Sequence, residues 1–401
     1  ENISQYDLST SLEFGRFLPQ KAGISLPLYF GISESFSNPQ YNPLDPDVPF
    51  ELALDEIDDP ARRSQLKKIA QDYTKRQSIN LTNIKKSKTG GGKSRIWDIE
   101  NFNLSLGYTQ VFNRNINLEF DDQRDYLAAL GYNYATQPKY ISPFGKLKPL
   151  QKSKWLRLIK DFNFNLVPTN LTFRTDINRH YGETQVRDLS EFSFKQPITF
   201  NKIFTTSRQY SLQYDITRSI KFDFNANNLA NIDEPYGRLD TEVKRDSVKK
   251  NFWNLGRNTD YRQNGSLSYN LPLNKLPLTD WIAVNTKYMF DYRWQTGPLS
   301  IVPQTNALTI NPAIGNTIQN SNTRQINTTL TFTTLYNKVP YFKKLLGPKP
   351  PKTSKPAAPA KPAATDTTGG KKPKVKQPRQ HTNLERAIAK VLLHTTRILV
   401  N

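Results

Sequence analysis

The sequence contains no cysteine, one methionine and three histidines among 401 residues. Without cysteine there are no disulfides, no thiolate metal sites and no thiol nucleophile. Two of the histidines, His381 and His394, fall in a basic C-terminal tail and only His180 lies in the body, so a histidine-rich metal site is not expected. No uninterrupted apolar run approaches the roughly 18 residues that a membrane-spanning helix needs, which excludes helical spanning. A hydrophobic fraction of 36% and a mean hydropathy of −0.66 also make a large dry core hard to build. A wet-centred β-barrel escapes that objection, because only alternate residues of its wall meet lipid. The first residue, Glu1, has no basic n-region or apolar h-region behind it, so the address signal is absent or lies elsewhere and a fragment is expected.

The net charge of +21 is segmental. Residues 60–95 hold 11 Lys or Arg against Asp72, and residues 343–401 hold 14 against Asp366 and Glu385, leaving the rest close to neutral. Basic segments can bind phosphate backbones. These two carry few aromatics for base stacking, with Tyr73 nearly alone in the first, so nucleic acid is not an expected partner.

What is abundant is alternation. In "WIAVNTKYMFDYRWQ" (281–295), Ile282, Val284, Thr286, Tyr288, Phe290, Tyr292 and Trp294 carry no charge, while Asn285, Lys287, Asp291, Arg293 and Gln295 lie opposite. That is the period of a strand, written in residues that favour a pleated chain. Its length suits the roughly 9 to 11 residues of a tilted membrane strand better than the 5 or 6 of a globular one. The pattern predicts Ile282, Val284, Tyr288, Phe290, Tyr292 and Trp294 facing lipid, and Asn285, Lys287, Asp291 and Arg293 facing an aqueous lumen. The aromatics at 288–294 could also form a sugar platform or pack in a core; at the end of so long a strand an interfacial girdle fits best.

Similar strips recur at 6–14, 24–32, 102–108, 116–120, 126–134, 171–177, 210–216, 220–226, 267–273 and 326–332, about eleven in all. Their connections alternate between short ("TRS", 217–219; "NKLPLTD", 274–280) and long (182–206, 229–262, 296–324), as in an up-and-down outer-membrane meander. Asparagine in "FNFNL" and "FDFNANN" would give the interior an uncharged, hydrogen-bonding wall. Helical insertions are expected near 60–76, with Asp59 as N-cap, Pro60 in the first turn and Leu66, Ile69, Ala70 and Tyr73 along one stripe, and near 153–161. Residues 1–346 thus form a barrel-wall segment. Residues 347–382 are a Pro/Lys/Ala-rich disordered linker, and 383–401 a short helix leading into a further strand.

Three chemical motifs fail on inspection. "KSKTGGGKS" (86–94) has Ser87 where a phosphate loop needs its opening glycine. "NPLDPDVPFELALDEIDD" (42–59) has Phe50 or Leu52 where a calcium loop needs glycine. His180, with Asp176, Asp188 and Ser190 nearby in sequence, lacks a nucleophile elbow and shares a strand face with Asp176 and Asn178, as a lumen or rim histidine would. Neither an enzyme nor a cofactor is expected.

"YNPLDPD" (41–47), "KWLRLIKDFNFNLVPTNLTFRTDINRHYGETQVRDL" (154–189), "GNTIQN" (315–320) and "TTLYNKVPYFKKL" (333–345) resemble the SprA/Sov family, the outer-membrane translocon of the Bacteroidota type IX secretion system. The resemblance implies part of one very large single-chain transmembrane antiparallel barrel, linked to gliding and surface-protein export. It also implies exported protein cargo, a smaller outer-membrane barrel partner and a periplasmic plug protein, and it sets the wall in the lipid bilayer with the linker on the periplasmic side. Other barrel transporters, for lipopolysaccharide or nutrients, and a β-rich surface structural or adhesive protein remain as alternatives.

Overall fold

The computed structural model describes residues 2–90, 92, 94–147, 153, 155–189, 195–302, 307–310, 314–341 and 397–400. Its main feature is one sheet with the order β1 (Asn2–Glu13), β3 (Pro27–Asn38), β6 (Asp72–Lys86), β7 (Phe102–Arg114), β8 (Leu118–Ala135), β9 (Asn170–Val186), β10 (Thr199–Tyr214), β11 (Ile220–Asn231), β12 (Arg257–Leu271), β13 (Ile282–Gln295), β16 (Thr317–Thr331) and β17 (Arg397–Val400). The two-residue β2 (Ile24–Ser25) pairs at the side of β6, and the pairs β4–β5 (Tyr41–Asn42, Asp45–Pro49) and β14–β15 (Leu299–Val302, Ala307–Ile310) stand apart. From β1 to β11 every neighbouring pair is antiparallel, so the chain meanders up and down. The order is open, with β1 and β17 at its two ends.

The chain divides into two compact units. One comprises 1–140, 164–267 and 288–323, and holds β1 to β11 whole; the other comprises 141–163, 268–287 and 324–401. Within the second unit, β17 pairs with β16 from Thr328↔Val400 to Thr331↔Arg397, so the β-like end of the tail is a strand. The linker at 347–382 and the helix expected after it lie outside the described residues.

The strips become strands of 12 to 18 residues in the path from β1 to β13. Strips 116–120 and 126–134 are one strand, β8, because Leu118, Phe120 and Tyr126–Tyr134 keep one phase through Asp122 and Arg124. Phe14, Ile216, Leu273 and Phe332 fall just beyond their strands. The expected helix at 60–76 stops at Ala70. Asp59 does cap it, accepting from the Ala61 amide, but Tyr73 belongs to β6, drawn in by pairing to both β3 and β7 and by ring contact with Phe36 at 4.9 Å. The helix expected at 153–161 shrinks to one turn, Arg157–Lys160, with Trp155, Leu156, Leu158 and Ile159 exposed. Conversely, the 229–262 connection contains a helix, Glu242–Trp253, capped by Thr241, whose hydroxyl accepts from the Lys244 amide.

Loop lengths alternate less regularly than expected. Strands are joined at the end where β8 begins, called upper here, by the connections 39–71, 115–117, 187–198 and 232–256, and at the lower end by 14–26, 87–101, 136–169 and 215–219. The short 115–117 turn breaks the pattern above because Asn115 closes it, its Oδ1 accepting from the amides of Asn117 and Leu118 at 2.9 Å. The long 136–169 breaks it below. "FNFNL" lies in that segment and not in a strand: Asn163 and Asn165 are buried and donate to the carbonyls of Asp161 and Val167, stabilising a local turn.

Candidate functional site

The site is the sheet itself, whose two faces have different chemistry. Strand registers carry each face from strand to strand. One face collects Tyr6, Leu8 and Leu12 of β1, Leu28, Phe30 and Ile32 of β3, Ile79 and Leu81 of β6 and Phe102–Tyr108 of β7. It continues through Tyr126–Tyr134 of β8, Leu171–Ile177 of β9, Tyr210 and Leu212 of β10 and Phe222–Ala226 of β11, taking every second residue. Aromatic pairs link it sideways: Tyr108–Tyr126 at 5.2 Å, Phe102–Tyr132 at 4.9 Å and Phe173–Tyr210 at 5.1 Å. Leu8, Ile79, Leu106, Leu130, Tyr210 and Tyr288 of this row system are exposed, and no large side chain is fully buried among the described residues. An open apolar sheet face of this extent needs an apolar medium or partner.

The upper limit of the apolar band is a diagonal. Above the apolar stretch of each strand, the first charged or amide side chain on this face is Glu34 on β3, Gln77 on β6, Gln110 on β7, Arg124 on β8, Arg179 on β9, Arg208 on β10 and Asn228 on β11. Glu34 shares a hydrogen-bonded row with Lys75, Phe112 and Asp122, whereas Asn228 shares one with Arg208, Thr175 and Leu130. From β3 to β11 the limit therefore descends from the row of Asp122 to that of Leu130, eight residues over six strand steps. At about 3.4 Å per residue and about 4.8 Å per strand this is a slope of about 43°, within the tilt of roughly 35–45° at which strands cross a bilayer. The band on β8, Tyr126 to Tyr134, is then about 20 Å tall along the normal, close to the roughly 25 Å of outer-membrane barrels.

The opposite face is a polar lattice. Arg174 grips Asp176 through Nε at 2.9 Å, Thr184 donates to Asp121 at 2.7 Å, Ser266 donates to Asp223 at 3.3 Å and Asn225 donates to Asn264 at 3.2 Å. His180 Nδ1 lies 2.7 Å from Asp125 of the neighbouring strand, so its partner is neither Asp176 nor Asp188; Ser190 is outside the described residues. Three glycines of this face stand directly opposite carboxamides: Gly107 to Asn80, Gly131 to Asn103 and Gly182 to Gln123. A Cβ at Gly131 would lie 2.0 Å from Asn103 Oδ1, and one at Gly182 2.2 Å from Gln123 Oε1, so the amides lie flat over bare backbone. Charges here are mostly paired, leaving a hydroxyl- and amide-rich surface. No cluster of metal-ligating side chains occurs among the described residues.

β13 follows the same division. In the first unit Tyr292 meets Tyr261 at 6.2 Å, and the Phe290 ring covers Gly265, whose Cβ would lie 2.4 Å from it. Trp294 shares the even-numbered face with them. On the other face Arg293 donates to Asp260 at 2.8 Å, and Asp260 also accepts from Arg262 at 3.0 Å; Asp291 stands on the Arg293 side of the strand. In the second unit Asn285 donates to Asn270, with Lys287 on the same side and Ile282 and Val284 on the other. Alternation along β13 sets even-numbered and odd-numbered residues on opposite sides of the strand.

Sequence reading missed the treatment of the upper rim. There the β11–β12 loop returns over the apolar-side face: Arg179 Nη2 donates to Glu234 at 3.1 Å, Arg238 clamps Glu183 at 2.7 Å and Phe200 meets Tyr236 edge-on at 5.5 Å. Glu183, Gln185 and Tyr181 are buried beneath it. The alternation of Arg179, Tyr181 and Glu183 continuing the phase of Ile177 was the available signal.

Residues 1–54 match the family model described as SprA_N, motility related/secretion protein, in agreement with the family resemblance carried by "YNPLDPD". There the Leu44 amide donates to Asn42 Oδ1 between β4 and β5. No curated protein matches the chain.

Proposed function

With residues 1–54 assigned to the SprA family of motility-related secretion proteins as the premise, we propose that this chain is a section of the wall of a large outer-membrane β-barrel that conducts proteins across the outer membrane. The sloping edge of the apolar band carries the proposal. A globular sheet packed on a protein layer has no reason to tilt its polar limit at the angle of a membrane strand, whereas a flat bilayer surface cutting across inclined strands imposes it.

In this reading the apolar face meets hydrocarbon, and Ile282, Val284, Tyr288, Phe290, Tyr292 and Trp294 belong to it. The lattice that includes Asn285, Lys287, Asp291 and Arg293 lines a wet passage. Its work is not catalysis: a surface whose charges are mostly paired and whose amides are flattened offers a passing folded protein few unpaired groups to bind. Cargo proteins, a smaller barrel at a lateral opening, a periplasmic plug and the bilayer are the partners, and no cofactor takes part. The lower-end loops face the periplasm.

This section holds no cysteine of its own to compete with an introduced one. Single cysteines introduced from 282 to 295 in the full-length protein in native membrane should react with lipophilic probes at 284, 288 and 290 and with aqueous probes at 285, 287 and 291. Equal aqueous reactivity on both faces overturns the proposal.

A further inference from the structure

The helix Glu242–Trp253 is held at a particular height. Its Phe252 ring stacks on Phe204 at 6.2 Å with an interplanar angle of 22°. Phe204 belongs to the apolar-side face of β10, four residues above Arg208, where the band ends on that strand. At about 3.4 Å per residue and a tilt of about 43° this is about 10 Å above the hydrocarbon limit, at the outer edge of a headgroup layer about 5–8 Å deep and within side-chain reach of it. The strap before the helix fixes it there through Glu234 and Arg238, and Lys244 donates to the Arg238 carbonyl and to Asp240, both at 3.0 Å.

The outward surface of this helix suits that layer. Trp253 is 77% exposed although the adjacent Phe252 is packed, and Val243, on the side of the helix opposite Phe252, is 79% exposed. Residues 238–250 carry Arg238, Lys244, Arg245, Lys249 and Lys250 against Asp240, Glu242 and Asp246. An exposed tryptophan, an exposed valine and excess cations on a short helix are what an interfacial helix presents to phosphate headgroups. The lower rim has a counterpart on the same face: Tyr132 donates to the Ile96 carbonyl at 2.6 Å, and the next residue, Trp97, is 75% exposed with Arg95 over its ring. Tyr132 lies eight residues below Arg124 on β8, so the two tryptophan sites are separated by about 30 Å along the normal, the thickness of a hydrocarbon core.

We infer that the helix Glu242–Trp253 lies on the outer edge of the bilayer's headgroup layer, reaching into it with Trp253, and binds anionic phosphate headgroups through Lys249, Lys250 and Arg245. The inference rests on the membrane reading of the sheet. It is tested by spin labels on single cysteines at 243 and 253, with 210 as a control inside the band, in the full-length protein reconstituted into vesicles of phosphatidylcholine alone or with 30% phosphatidylglycerol. Labels at 243 and 253 should report headgroup depth and the label at 210 hydrocarbon depth. Phosphatidylglycerol should cut the accessibility of the 253 label to an aqueous relaxant at least twofold, and K249E/K250E should abolish that response. Full aqueous accessibility at 243 and 253 with hydrocarbon depth at 210 overturns the helix inference and leaves the wall intact; aqueous accessibility at all three overturns both. Headgroup depth with no response to phosphatidylglycerol overturns the phosphate contact.

Discussion

The two faces of β8 and β9 are built on the same backbone ladder but spend their side chains differently. Tyr126 and Leu130 on one face make ring and methyl contacts and stay exposed, with Phe173 half-buried beside them, whereas Asp121, Asp125, His180 and Thr184 on the other are tied to each other across strands. Every backbone group in the span is already paired in the ladder, so side chains are free to match whatever medium each face touches. The difference teaches that the two faces of one ladder are built for different surroundings. The sheet's low mean hydropathy reflects a polar half of the wall and not a weak core.

The sharpest way to break the comparison is to exchange the chemistries. Leu130→Arg should cost about 2–4 kcal/mol if the residue lies near the midplane, whereas Ser266→Arg on the polar face should cost under about 0.5 kcal/mol, both read from reversible unfolding in lipid vesicles. Equal penalties would erase the distinction between faces.

Next in size is the strap. Glu234, with a side chain only 3% exposed, is held by Arg179 at 3.1 Å and lies 3.7 Å from Lys202. Arg179→Met should cost about 2–3 kcal/mol, because a buried carboxylate keeps only its weaker partner. Proteolysis should rise within 232–240 and not in the strands. Arg179→Met with Glu234→Gln should recover much of the loss, and failure to recover would mean the strap is held by something else.

Smaller again are the amide-over-glycine pairs. Gly131→Ala should destabilise by about 1 kcal/mol as Asn103 is driven off the backbone, while Gly131→Ala combined with Asn103→Ala should cost less than the single change. Simple additivity would show that the close contact carries no energy.

How much of this was legible beforehand follows from which forces are local. Period two is written into each strand, so the strand at 282–295 and most other strips could be read directly. β6 could not: "DYTKRQSINLTNIKK" alternates poorly because Lys75 and Gln77 stand where its apolar-side face has risen above the band and a bulge with Asn83 at positive φ shifts its lower part. The same cause split β8 into two apparent strips around Asp122 and Arg124. A strand longer than the membrane changes its pattern where it leaves it, and only the register across neighbours shows that the changes lie on one slope. The helix at 242–253 was hidden for another reason: its stripe is Phe252 on Phe204, one contact and not a period.

The smallest expected effect concerns the lower rim. Asp98 accepts from the Arg95 amide at 2.7 Å and from Lys88 at 3.2 Å, which holds its carboxyl below the ordinary value of 3.8, the backbone contact being the larger cause. A carboxylate with a lowered folded value contributes stability above its unfolded pKa and loses it as pH falls through the folded one. Hydrogen exchange at Arg95 and Asn101 should therefore quicken below about pH 4 with the upper strap unchanged, and Asp98→Asn should remove that dependence. Acid sensitivity surviving in Asp98→Asn would assign it elsewhere.

The most direct test of the account is depth along the slope. Spin labels at Ile32, Tyr126, Ile177, Tyr210 and Ala226, each two residues below the polar limit of its own strand, should all report one depth just inside the hydrocarbon edge. Labels at Ile32, Gln77, Arg124 and Lys202, which follow one hydrogen-bonded path across the sheet, should instead run from inside the hydrocarbon at Ile32, through its edge at Gln77 and Arg124, to well outside it at Lys202. Constant depth along that path, with a gradient along the slope, would contradict the membrane crossing on which the conduit depends.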